Sequence, residues 1–101
     1  MVIIVKIKYP AQSAKQMATK FFEAPAFPDF ITMRGPYFNP TLQEGMLVTA
    51  IVELKEKNKF VEAMDFTRNY LGNFYDIPGF SCEYKQASEI DESLKVIGMQ
   101  G

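Results

Sequence analysis

Apolar and polar positions alternate most clearly over Gly45–Lys55, where Met46, Val48, Ala50, Val52 and Leu54 are all apolar and Leu47, Thr49, Ile51, Glu53 and Lys55 are mixed. Side chains alternate across a strand, so this stretch predicts a central strand with one dry face and one mixed face. Met1–Tyr9 reads the same way, with Ile3, Val5, Ile7 and Tyr9 on one face and Val2, Ile4, Lys6 and Lys8 on the other, ended by Pro10. Its β-branched residues favour a strand over a helix. Phe30–Phe38 predicts another strand, with Ile31 and Met33 dry and Thr32 and Arg34 on the mixed side. Gly35-Pro36 interrupts it, and since proline cannot donate to the ladder, this should be an edge strand with a bulge or bend. Asn39–Gly45 then forms a connection. A last strand over Phe80–Gln86 turns Phe80, Cys82 and Tyr84 inward and Ser81, Glu83 and Lys85 to the mixed side.

Between these strands the period changes to that of helices. Ala14, Met17, Ala18, Phe21 and Phe22 form one apolar stripe within Ala11–Ala24. Ser13 followed by Gln16 fits a capping box, and Pro25 ends the element. Two prolines make Ala24–Asp29 a loop, which Phe27 should pin to the core. After Lys55, Asn58 is the expected N-cap of a longer helix whose buried stripe is Phe60, Ala63, Met64, Thr67, Leu71 and Phe74. Phe66 and Tyr70 lie on another side of it, either for a subunit contact or beneath a C-terminal helix with Ile90 and Leu94. Gly72 and Pro78-Gly79 close that element. The C-terminal helix should start at Ser88, with Glu89, Asp91 and Glu92 early, Lys95 late and Gly98 at its end. A fifth strand over Leu94–Met99 is the alternative.

The order strand, helix, strand, strand, helix, strand predicts an α+β fold: a ferredoxin-like βαββαβ sandwich with a four-stranded antiparallel sheet, strand order 4-1-3-2, and an extra C-terminal helix. At 101 residues, the chain reads as a single domain over 1–101. Nine Phe, five Tyr and six Met supply bulk for a small core. A net charge of -1 and an isoelectric point near 5.4 give no pull toward nucleic acid or anionic membrane. The lone Cys82 cannot form an internal disulfide, and the apolar run Val2–Val5 is too short for a signal peptide or a bilayer span. The expectation is a soluble cytoplasmic protein that binds neither nucleic acid nor membrane.

Candidate chemistry is confined by what is missing. The chain has no histidine and one cysteine, which removes the commonest base, the commonest metal ligand and thiolate clusters, so no metal and no cofactor is expected. Cys82 alternates with core residues and reads as a packed thiol. Glu53 and Glu83 fall on the mixed face with Lys6 and Lys85 in reach. They are the candidate general bases, or else halves of cross-strand ion pairs on a wet surface. Arg34, before the Gly35-Pro36 break and close to Tyr37, could hold a ligand carboxylate or phosphate bidentately, or stand as a surface arginine. Lys6, Thr49 and Ile51 complete the candidate ligand-binding set. The glycines lack the spacing of a phosphate loop. The exposed aromatics of RNA-recognition domains, the paired cysteines of heavy-metal domains and the glycine-rich loop of acylphosphatases are also missing.

The mixed face carries Val2, Ile4, Leu47 and Ile51 in its middle, a large apolar group for a free surface, ringed by charges that would not suit a dry core. Either it is a solvated sheet with stray aliphatics, or something covers it. With its length and topology, the chain over about residues 1–86 resembles the dimeric α+β barrel superfamily, as pattern rather than motif. That resemblance implies two ferredoxin-like subunits packed sheet against sheet around a cavity in each. Members include cofactor-independent monooxygenases, small isomerases, haem enzymes and ligand-sensing modules; the haem members use a histidine ligand, which this chain lacks. The expected function is a homodimer binding a small, partly apolar ligand between sheet and partner. One alternative is a cofactor-independent monooxygenase or isomerase with Glu53 or Glu83 as base and Arg34 or Tyr37 as anion partner. The other is a protein–protein interaction module.

Overall fold

The computed structural model describes residues 1–88, the side chain of Lys57 apart. The expected C-terminal helix and the alternative fifth strand lie outside these residues. The chain runs β1 (Val2–Tyr9), a 3-10 turn (Ala11–Ser13), α1 (Ala14–Glu23), β2 (Ile31–Pro40), β3 (Met46–Leu54), a 3-10 turn (Lys57–Lys59), α2 (Phe60–Gly72) and β4 (Ser81–Ala87). The four strands form one sheet in the order β2-β3-β1-β4, antiparallel at every pairing. Read from the opposite edge, this is the expected 4-1-3-2 order. The architecture is α+β and compatible with a ferredoxin-like arrangement.

One face of the sheet is covered by the helices, and alternation decides which. Ile3, Val5, Ala50, Val52 and Leu54 are buried there with Ile31, beneath Ala63 and Leu71 of α2. A second cluster gathers Tyr9, Met17, Phe74 and Ile77 at the end of the sheet where α1 lies. Burying these groups is the main force holding helix to sheet, at about 25 cal/mol per Å² of apolar surface removed from water. Thr67 is tolerated within the buried α2 stripe because its hydroxyl donates to the Ala63 carbonyl at 2.8 Å, so its own donor is met. Phe27 pins the α1–β2 loop as expected, with its ring 5.5 Å from Phe66 and 5.1 Å from Tyr70. Among the described residues, that loop occupies the side of α2 assigned in prospect to a C-terminal helix or a subunit contact.

Three local expectations are corrected. The α1 stripe is only partly buried: Met17 is in the core, but Phe21 is 41% and Phe22 84% exposed. Successive helical residues turn by about 100°, so Ala18 and Phe22 rotate off the side that Ala14, Met17 and Phe21 present to one end of the sheet. Ser13 forms no capping box. It is buried, and its hydroxyl instead donates to the Pro78 carbonyl at 2.8 Å, tying the start of α1 to the α2–β4 connection. Asn58 is not the N-cap of α2. That position belongs to Lys59, with no side-chain cap, and the 3-10 turn before it supplies a backbone bond from Lys59 N–H to the Glu56 carbonyl at 3.1 Å. Helix α1 ends as anticipated. Ala24, immediately before Pro25, has extended backbone (φ -68, ψ 152), the conformation a following proline favours.

Candidate functional site

The face away from the helices is a grid set by strand register. Four cross-strand rows run from β2 through β3 and β1 to β4: Asn39, Leu47, Lys8 and Ser81; then Tyr37, Thr49, Lys6 and Glu83. Beyond them come Arg34, Ile51, Ile4 and Lys85, and finally Thr32, Glu53, Val2 and Ala87. The candidate residues Lys6, Arg34, Tyr37, Thr49, Ile51, Glu53 and Glu83 therefore share one face and three adjacent rows. Val2, Ile4, Leu47 and Ile51 are each half-buried on it.

Tyr37 reaches this face through a backbone irregularity. Between Arg34, paired with Ile51, and Tyr37, paired with Thr49, β2 advances three residues while β3 advances two. This is the bulge anticipated at Gly35-Pro36. Without the extra residue, alternation from Arg34 would turn Tyr37 to the helix side. Glycine is required at its start: Gly35 has φ +92, and a Cβ there would stand 2.8 Å from the Tyr37 nitrogen. Sequence alone places the break but not which residue is the extra one, so the phase beyond it was open.

The charges pair differently from the simplest expectation. Arg34 Nη2 lies 2.8 Å from Glu53 Oε2, with the arginine side chain 60% and the glutamate 34% exposed. The partner of Glu53 is thus Arg34 on the edge strand, reached diagonally across the row of Ile51. Glu83 stands opposite Lys6 in register, as anticipated. Between β1, β3 and β4 the face hollows into an open groove of about 420 Å³, bordered by Lys6, Lys8, Leu47, Thr49, Ser81 and Glu83. Such a surface can position a molecule that has both an apolar body and a polar or anionic end.

Cys82 lies on the other face, opposite Ile7 and half-buried, as a packed thiol should. Burial pushes its thiol up, and a hydrogen bond with Tyr75 only partly offsets this. A thiol held protonated is a poor nucleophile. Among the described residues no group of His, Cys, Asp and Glu is disposed to hold a metal ion, and no helix is long and apolar enough to cross a membrane. No protein-family model matches the chain, and comparisons with curated proteins and with solved structures give no match.

Proposed function

We propose that the protein is a small homodimeric binding protein of the ferredoxin-like, dimeric α+β barrel type, in which two open sheet faces pack together around a small, partly apolar ligand. The observation that carries this reading is the layout of the grid. Ile51 and Ile4 stand opposite each other across β3 and β1, Val2 lies one row further along β1 opposite Glu53, Leu47 stands two rows from Ile51, and polar groups surround them. A second copy is favoured as the cover on size. With β1, β2, β3 and β4 of 8, 10, 9 and 7 residues, the four-stranded face measures about 28 by 19 Å, or about 500 Å², at ~3.3 Å per residue and ~4.8 Å per strand. Two such faces together reach about 1,000 Å², the lower bound for a specific interface. Within each face Arg34 pairs with Glu53 and Lys6 stands opposite Glu83, so these charges are partly balanced before a second copy covers them. Arg34, Tyr37, Lys6 and Thr49 would then orient the polar end of the ligand, with Ile51 and Ile4 against its apolar body.

Sedimentation velocity over a range of concentrations tests this. The expected result is a two-chain mass, reduced to one chain by Ile51→Lys with the far-ultraviolet circular dichroism unchanged. A single-chain mass for the unaltered protein across that range would overturn the reading.

A further inference from the structure

The helix-covered face holds a separate cavity of about 80 Å³. Val5, Ala50 and Val52 floor it from the sheet, Leu71 and Phe74 roof it, and Phe21 stands at its edge. Among the described residues, its accessible lining is wholly apolar. Thr67 and Tyr70 also border it, but neither exposes polar surface to it, and the Thr67 hydroxyl is committed to the Ala63 carbonyl. A void with no donors or acceptors does not hold water, because a water there would forfeit its hydrogen bonds. Its walls lack dispersion partners on one side, and an apolar guest of the right size restores them. Apolar cavities of ~150 Å³ take up benzene or xenon. This one has about half that volume, and it reaches the surface where Phe21 is 41% exposed and Pro36 is exposed.

We infer that this cavity is a second binding site, for a small uncharged apolar molecule of about the size of xenon. Charged and strongly polar molecules are excluded, since no group inside could replace their hydration. The site belongs to one chain and needs no partner subunit, so it stands whether or not the open faces pair.

The test is titration of the full-length protein with xenon, followed by amide and methyl NMR. The expected result is a saturable shift centred on Val5, Ala50, Val52 and Leu71, with Ile4, Thr49 and Ile51 on the opposite face unmoved. Ala50→Val fills the floor and should weaken the response by about tenfold or more, because added methyl groups occupy the volume the guest needs. Val48→Leu, further along the same floor, serves the same purpose if Ala50→Val does not fold. Absence of a saturable shift with xenon, or a response unchanged in a folded filled variant, would overturn the inference and leave the void as a gap in packing.

Discussion

On the helix side of the sheet, Ile3, Val5, Ala50 and Val52 are buried; on the far side, the residues that alternate with them, Ile4, Lys6, Thr49 and Ile51, are half-buried or exposed. Both sets hang from β1 and β3, so the backbone that positions one positions the other. The helix side discriminates by volume and shape alone, since its cavity has no polar group to align a guest. The far side sets Arg34, Tyr37, Lys6 and Thr49 around aliphatic residues and can fix an orientation. Its charged groups remain solvated unless another surface closes over them. Under the two proposals, one small sheet serves two kinds of recognition, and only the open one depends on assembly.

Removing one side chain from each face gives the largest contrast. Leu71 is 1% exposed beneath the sheet, and Leu71→Ala should cost about 2–5 kcal/mol, the range for emptying a buried leucine site. Ile51→Ala removes a similar side chain from the half-buried face. In a single chain its cost should be well under half as large. If two faces pair, that cost should depend on protein concentration, and the cost of Leu71→Ala above the unfolding of one chain should not. Urea denaturation at two concentrations separates the cases. Equal, concentration-independent losses at both positions would erase the distinction between the faces.

Gly35→Ala comes next. A Cβ at φ +92, 2.8 Å from the Tyr37 nitrogen, forces the bulge to relax, and the expected loss is about 1–3 kcal/mol. The diagnostic part is local: the amide shifts of Arg34 and Tyr37 should move while those of Ala63 and Leu71 stay in place. An unchanged unfolding midpoint would show that the bulge tolerates a side chain and that glycine is dispensable to the phase of Tyr37.

These positions also mark what can be read from sequence. Alternation over Met46–Leu54 and Val2–Tyr9 is unbroken, and a one-residue slip would bury Lys6 and Lys8, so strand phase and the dry face are legible. The α2 stripe is legible for the same reason, being long enough for its period to show. The α1 stripe misleads because it says which residues share a side of a helix, not how much of that side the sheet covers; Phe22 is the residue left over. Ser13 carries a capping signature, yet the Pro78 carbonyl, 65 residues away in the chain, takes its hydroxyl. Local patterns cannot foresee that competition. All the candidate residues of the mixed face were legible through alternation except the side taken by Tyr37, which hangs on one extra residue. The helix-side cavity was not legible at all, because a void is what remains when many side-chain volumes fail to meet, and no single residue announces it.

The smallest expected effect lies in the Arg34–Glu53 pair, and it sharpens the comparison most directly. An ion pair with 60% and 34% exposed side chains belongs to the solvated class, typically worth about 0.2–1 kcal/mol. A double-mutant cycle with Arg34→Gln and Glu53→Gln measures the coupling. In the single-chain variant Ile51→Lys, raising the salt to ~1 M, where the screening length falls to ~3 Å, should remove more than half of it. In the unaltered protein, at concentrations where two faces meet, partial burial should leave a coupling that survives the same salt. The sign follows from dielectric: covering the pair takes it from water into a medium that screens charge less, while salt ions are kept at a distance. A coupling that salt weakens by the same fraction in both proteins would mean that Arg34 and Glu53 stay in bulk water and that no compartment forms over Ile4, Thr49 and Ile51. The helix-side cavity, on the other face of the same strands, would be unaffected by that outcome.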